Sequence, residues 1–320
     1  MSDEVKNWTK MPSEMKVMII KELDLKSRTM LRRCSKLDQN LVDSVIYSCK
    51  RIDLVYNRDS RRNFPIVEIH CLYEEMSEIF EQEGTDMTWR KSSRHCSRQY
   101  GEYESNTYEN KDHLDMACDR LVEMIGKQRN TVEEMQLDLG RKVPIFNTKI
   151  SVTDLKITCE IRQDNEEIFI ENFHKLLDSF DSGMTTMTIR TCYDIGNIGY
   201  IESVRNTKCL YMSRKNMIGE EELMEYGARD FWLDVEDGIS SRGINKFLKN
   251  RLKSSTPTSF NLNCTNTRFI HSDIIRGFEV STPEMFKDEE RNTVLEIRGY
   301  PMSICIKIGM YQVHGEICKL

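Results

Sequence analysis

The sequence predicts a chain of mixed α+β and α/β class, and three observations carry that prediction. Apolar residues recur at helical spacing near the N-terminus. Short strand-like cores alternate with amphipathic helices through the middle, and strict apolar–polar alternation marks the C-terminus. The 320 residues are enough for one large domain or two smaller ones. A hydrophobic content of 39% with 31% charged residues is that of an ordinary globular protein.

The N-terminal stretch WTKMPSEMKVMIIKELDLKSRTMLRRCSKLDQNLVDSVIY organises the rest. Met11-Pro12-Ser13-Glu14-Met15 opens a helix, with proline pre-set for the first helical position and Glu14 where a helix N-terminus favours negative charge. Met15, Met18, Ile19 and Leu23 follow at three- and four-residue steps as one apolar stripe. Asp24-Leu25-Lys26 breaks the pattern, Ser27 is a suitable N-cap for a second helix over Arg28 to Cys34, and Leu37, Leu41, Val42 and Val45 suggest a third. Three such helices are too little chain to bury a self-sufficient core.

Met11-Pro12, Glu14, Met15, Ile19, Leu23, Leu25, Ser27, Leu31 and Cys34-Ser35 fall in the order of an F-box motif, which typically opens Leu-Pro-x-Glu-Leu. The run DLKSRTMLRRCSK followed by LVDS looks most like the F-boxes of the large nematode family of F-box proteins. The resemblance covers Trp8 to Tyr47. It departs from the pattern in Met for Leu at positions 11 and 15 and in lacking a Trp after Ser35. It implies docking on a Skp-type adaptor, and through it on a cullin ubiquitin-ligase scaffold. The docking residues expected are Met11, Pro12, Glu14, Met15, Ile19, Ile20, Leu23, Leu31, Cys34 and Ser35.

Beyond the third helix, Arg51 to Tyr56 and Phe64 to Tyr73 read as strands. Residues 81–112 are the most polar stretch, expected to hold a weak strand around Met87–Trp89 and then a loop or linker. The expected organisation is therefore an F-box over 1–50, a short β-rich segment and polar linker over 51–112, and a recognition domain over 113–320. That last region opens with a helix over His113 to Arg129. Strand cores then recur at Met135–Leu139, Leu155–Ile157, Met187–Ile189, Leu210–Met212, Leu233–Val235 and Phe260–Leu262. Helices lie at Glu167–Phe180, Gly219–Tyr226 and Gly243–Leu252 between them. The recurrence resembles degenerate leucine-rich repeats, a β/α solenoid, without their even period or regular asparagine. INKFLKNRLKSSTPTSFNL resembles part of the F-box-associated, or FTH, domain that follows many nematode F-boxes. Leu295–Arg298, Ile304–Ile308 and Val313–Ile317 predict a terminal hairpin or meander that covers the last sheet edge.

No set of residues reads as catalytic, metal-binding or cofactor-binding. A net charge of −6 gives no field for nucleic acid. No apolar run approaches the roughly 18 residues of a membrane span. The N-terminus lacks the signature of a signal peptide. Eleven cysteines without a CxxC pair read as reduced thiols of a cytosolic or nuclear protein. His70-Cys71 are strand neighbours on opposite faces, and His95-Cys96 lie in a polar loop with no nucleophile signature. Gly196-Asn197-Ile198-Gly199 lacks the Gly-Lys-Ser/Thr of a phosphate loop and reads as a turn. Glu220-Glu221-Glu222 suit a helix start. Asp230 to Asp237, around Trp232, reads as a sheet face packed on a helix, with an exposed binding rim as the other choice. The function expected is a non-catalytic substrate receptor of a Skp–cullin–F-box ligase with an unidentified target protein. The alternatives are a non-ligase binding scaffold with a degenerate F-box and a thiol hydrolase using Cys96.

Overall fold

A computed structural model describes residues 8–23, 25–44, 49–57, 64–71, 74–83, 86–95, 104–126, 131–140, 142–159, 166–192, 195–214, 218–254, 256–278, 286–287, 293–299 and 302–319. The chain forms two compact units, Met1–Glu134 and Met135–Leu320.

The first unit begins with α1 (Ser13–Glu22), α2 (Leu25–Arg32) and α3 (Lys36–Ser44), the three expected helices. The second starts a turn earlier than Ser27 suggested, so Ser27 lies inside it. Buried Arg28 accounts for the close succession of α1 and α2. Its Nε donates to the Leu23 carbonyl at 3.0 Å and its Nη2 to that of Lys21 at 2.8 Å, capping the end of α1.

Five antiparallel strands follow in the order β1-β2-β3-β4-β5: β1 (Cys49–Asn57), β2 (Phe64–Cys71), β3 (Glu74–Glu83), β4 (Asp86–His95) and β5 (Glu104–Tyr108). The polar stretch expected as a linker is thus mostly strand. Phe80 and Met87 are buried while Arg90 faces solvent, and an antiparallel sheet with one wet face needs no more apolar residues than that. Helix α4 (His113–Gly126) packs on β2 and β3, with Ala117, Leu121 and Ile125 buried. The division in the fold therefore falls after Glu134, where the sequence suggested residue 112.

The second unit is built on a mixed sheet of order β6-β7-β8-β9-β10-β11-β15-β14-β13-β12. β6 (Val132–Asp138) starts at the boundary between the units. β7 (Val152–Cys159), β8 (Thr186–Thr191), β9 (Cys209–Arg214), β10 (Asp230–Val235) and β11 (Thr258–Cys264) run parallel. All six strand cores expected from the sequence are strands. The connections carry α5 (Glu166–Asp178), α6 (Glu202–Arg205), α7 (Glu220–Glu225) and α8 (Ser241–Ser254), with α9 (His271–Ile274) after β11. The four-residue α6 had no periodic signal to announce it.

The terminal strands β12 (Phe286–Lys287), β13 (Thr293–Gly299), β14 (Met302–Ile308) and β15 (Gln312–Lys319) form an antiparallel meander. β15 pairs antiparallel with β11, covering the edge of the parallel strands as the alternation implied. Burial alternates along β8, β10, β11 and β14, so one sheet face is core and the other is open. On the core side Phe231, Phe247 and Phe260 meet with ring centroids 5.2–6.1 Å apart.

Polar side chains tie each helical layer to the next. Ser203 Oγ donates to the Leu177 carbonyl at 2.6 Å, and Asn245 Nδ2 donates to those of Ile274 and Arg276 at 2.6 and 3.0 Å. Buried Glu222 accepts from the Tyr226 hydroxyl at 2.6 Å and from the Ile198 N–H at 3.2 Å. Each bond satisfies a buried backbone or carboxylate group that would otherwise oppose folding.

Candidate functional site

The three N-terminal helices close only a small core. Among the described residues it consists of Ile20 and Val42, with Trp8, Val17, Leu23, Leu31 and Leu41 packed around them. Lys16 is buried along its stem, its Nζ 5.4 Å from the centre of the Trp8 ring. The Trp8 indole N–H donates to Asp38 Oδ1 at 2.9 Å. Ser35 caps α3, its hydroxyl accepting the Asp38 N–H at 3.0 Å and donating to Asp38 Oδ2 at 2.7 Å. Pro12, at φ −57° and ψ 147°, stands one residue ahead of α1, and its carbonyl accepts the Lys16 N–H at 3.1 Å.

The apolar stripe read from the sequence divides in two. Ile20 is fully buried, and Leu23 and Leu31 pack on the same core, so these three hold the helices together. Met15 and Ile19 face solvent, as do Pro12, Glu14, Cys34 and Ser35, while Met11 is half-buried. Met18, Met30 and Leu37 are 68%, 58% and 63% exposed and join Met15 and Ile19 as outward apolar side chains. Met18, Met30 and Leu37 were not among the expected docking residues, because helical spacing marks a stripe without saying which part of it the neighbouring helices cover.

A second surface is the open face of the sheet in the second unit. The stretch around Trp232 divides by strand alternation. Phe231, Leu233 and Val235 enter the core, whereas Asp230, Trp232 and Asp234 lie on the open side. Trp232 is 50% exposed and pairs in register with Tyr211, which is 41% exposed. The exposed rim, the less favoured reading of the sequence, is what the fold makes here.

The Gly196 turn and Glu220 have structural roles. Gly196, at φ +64°, turns the chain after β8, and His174 holds that turn through Nε2 to the Ile195 carbonyl at 2.6 Å and Nδ1 to the Tyr200 hydroxyl at 2.9 Å. Glu220 meets Ser240 and Lys246, and its carboxyl lies below its usual range through hydrogen bonds from those two groups. His70 and Cys71 are successive residues of β2; His95 ends β4, and Cys96 lies outside the described residues. Among the described residues no three His, Cys, Asp or Glu converge as metal ligands, and no helix is long and apolar enough to cross a membrane.

Residues 8–50 match the family model of the F-box domain. No curated protein and no solved structure matches the chain. The matched segment coincides with the three helices just described. F-box domains generally bind Skp-type adaptors, and proteins carrying them are typically non-catalytic adaptors in ubiquitin-ligase complexes.

Proposed function

We propose that this chain is the substrate-recognition subunit of a Skp–cullin–F-box ubiquitin ligase acting in the cytoplasm or nucleus. The observation that carries the reading is the F-box match over residues 8–50, on a module whose small core leaves Met15, Met18 and Ile19 facing outward. Those side chains dock on a Skp-type adaptor in a helix-in-groove mode, and the adaptor links to a cullin. Met11, Pro12, Glu14, Cys34 and Ser35 border the contact, and Ile20, Leu23 and Leu31 shape it from beneath. The second unit holds a target protein for ubiquitination. Its strand–helix series we read as a degenerate leucine-rich-repeat-like solenoid of the FTH type found in nematode F-box proteins. The chain needs no chemistry of its own, because holding the target beside a loaded conjugating enzyme raises the effective concentration of the reacting groups.

The test is capture of the purified full chain by a Skp-type adaptor, with a Met15→Asp/Ile19→Asp variant beside it. Both positions are exposed, so the variant folds, and circular dichroism checks this. Capture of the wild type and loss in the variant support the receptor. Absence of capture for both removes it and leaves a binding scaffold without a ligase.

A further inference from the structure

The open face of the second unit has a defined chemical centre. Strand register places Cys209, Asp230 and Ser259 in one row, Tyr211, Trp232 and Asn261 in the next, and Ser213, Asp234 and Asn263 in the third. This grid of three strands contains two exposed aromatic rings and two carboxylates, and no lysine or arginine. Asp230 and Asp234 flank Trp232 on its own strand, each about 7 Å along at the two-residue repeat. The row of Asp230 continues through Ser259 to Glu316 on β15, adding a third carboxylate. Cys209, 3.6 Å from Asp230, has its thiol held above the usual range, by burial first and then by that carboxylate, with Lys208 opposing. The grid borders a hollow of about 550 Å³, lined by Thr188, Arg190, Tyr211, Ser213, Trp232 and Asp234.

Indole and phenol faces attract cations, and a carboxylate on either side strengthens that attraction while repelling anions. In register, Arg190 on β8 lies two strands from Asp234 in the same row, and Lys208 and Arg229 directly precede Cys209 and Asp230 in the chain. We propose that this grid docks an arginine or lysine side chain of an extended protein segment, the cation lying over Trp232 between Asp230 and Asp234. The inference rests on the receptor reading for calling that segment part of a target; the recognition chemistry stands on the grid alone.

A library of short random peptides, passed over the immobilised full chain, tests it. Peptides retained by the wild type are enriched in arginine or lysine over the input, and replacing the cation by citrulline or norleucine in a retained peptide weakens binding. Trp232→Ala weakens such a peptide by about tenfold, the scale of a partly desolvated cation–π contact. Asp230→Asn/Asp234→Asn weakens it and flattens its salt dependence, whereas Arg190→Ala strengthens it. Retention of acidic or apolar peptides, no retention, wild-type retention by the Trp232 variant, or loss of binding in Arg190→Ala overturns the proposal. Adaptor capture by the same variants is measured alongside. Cationic selection without adaptor capture leaves the grid standing and removes the ligase; adaptor capture without cationic selection does the reverse.

Discussion

Phe260 on β11 lies directly across from Gly315 on β15, with its Cζ 2.7 Å from where a β-carbon on that glycine would stand. The Cys305 carbonyl on β14 is 2.8 Å from the same point. The pair seats the terminal meander on the parallel strands, since the ring occupies space that any larger residue would contest. Gly315→Ala should lower the unfolding free energy by about 2 kcal/mol, as overpacking does in a closed core. Urea unfolding checks this; an unchanged midpoint would show that the meander is not seated by this contact.

Arg251 is a buried cation in the aromatic core. It is 8% exposed, donates to the Tyr226 carbonyl and stands 5.2 and 5.9 Å from the ring centres of Phe247 and Phe231. Burial pushes its guanidinium down to about 10, so it stays charged at neutral pH. Arg251→Ala should cost about 3 kcal/mol through the orphaned carbonyl and the space left behind. Arg251→Lys should recover only part of that, because a compact ammonium lacks the guanidinium's several donors and spread charge between the two rings. Equal stability of the Lys variant and the wild type would refute a specific role for the guanidinium.

Asp38 ties α3 and its Ser35 cap to the segment ahead of α1 through its bonds to Ser35 and Trp8. Asp38→Ala should destabilise the module by about 2 kcal/mol, losing a cap partner and leaving the indole N–H unsatisfied. Hydrogen exchange should speed up across residues 13–44 and stay unchanged in the second unit. Uniform speeding of the whole chain would contradict a local role.

Two histidines give stability a pH dependence. Burial lowers His271, and burial, partly opposed by Asp112, lowers His113. Both folded-state values lie below the unfolded one near 6.5, so the unfolded chain binds the proton more readily. Their contribution is complete above about pH 6.5 and is lost as pH falls through that value toward the folded ones. Melting temperature should therefore decline from pH 7.5 to 5.5, and His271→Gln should flatten the decline. An identical slope in that variant would assign the effect to other groups.

Cys118, buried on α4, has its thiol pushed up to about 12 by burial and then by Asp119 and Asp112. Thiolate is the reactive form, so Cys118 should resist iodoacetamide at pH 8 until the chain unfolds. Among the cysteines whose burial is described, exposed Cys34, Cys305 and Cys318 should label before it. Mass spectrometry of timed samples distinguishes the sites, and early labelling of Cys118 would show that α4 opens readily.

Much of this fold was legible because its signals are local. Leu233 and Val235, Phe260 and Leu262, and the alternating residues of β14 and β15 carry period-two patterns that need no knowledge of neighbours. A weak strand around Met87–Trp89 was legible, but β3, β5 and the rest of β4 escaped notice, because a wet-faced strand offers few apolar residues to count. Among the expected docking residues, Met15 and Ile20 looked equivalent, yet one is 52% exposed and the other fully buried.

The sequence by itself determined the F-box order over three helices, the six strand cores, the terminal meander and the absence of any recognisable catalytic signature. Those properties follow from periodicity and residue type along a few neighbouring positions. Only the tertiary structure decided which half of the first helix stays uncovered, that β15 lies against β11, and that Trp232 and Tyr211 stand side by side. The reason is physical: exposure and register depend on which distant segment covers a face, and that is settled by packing across the whole unit.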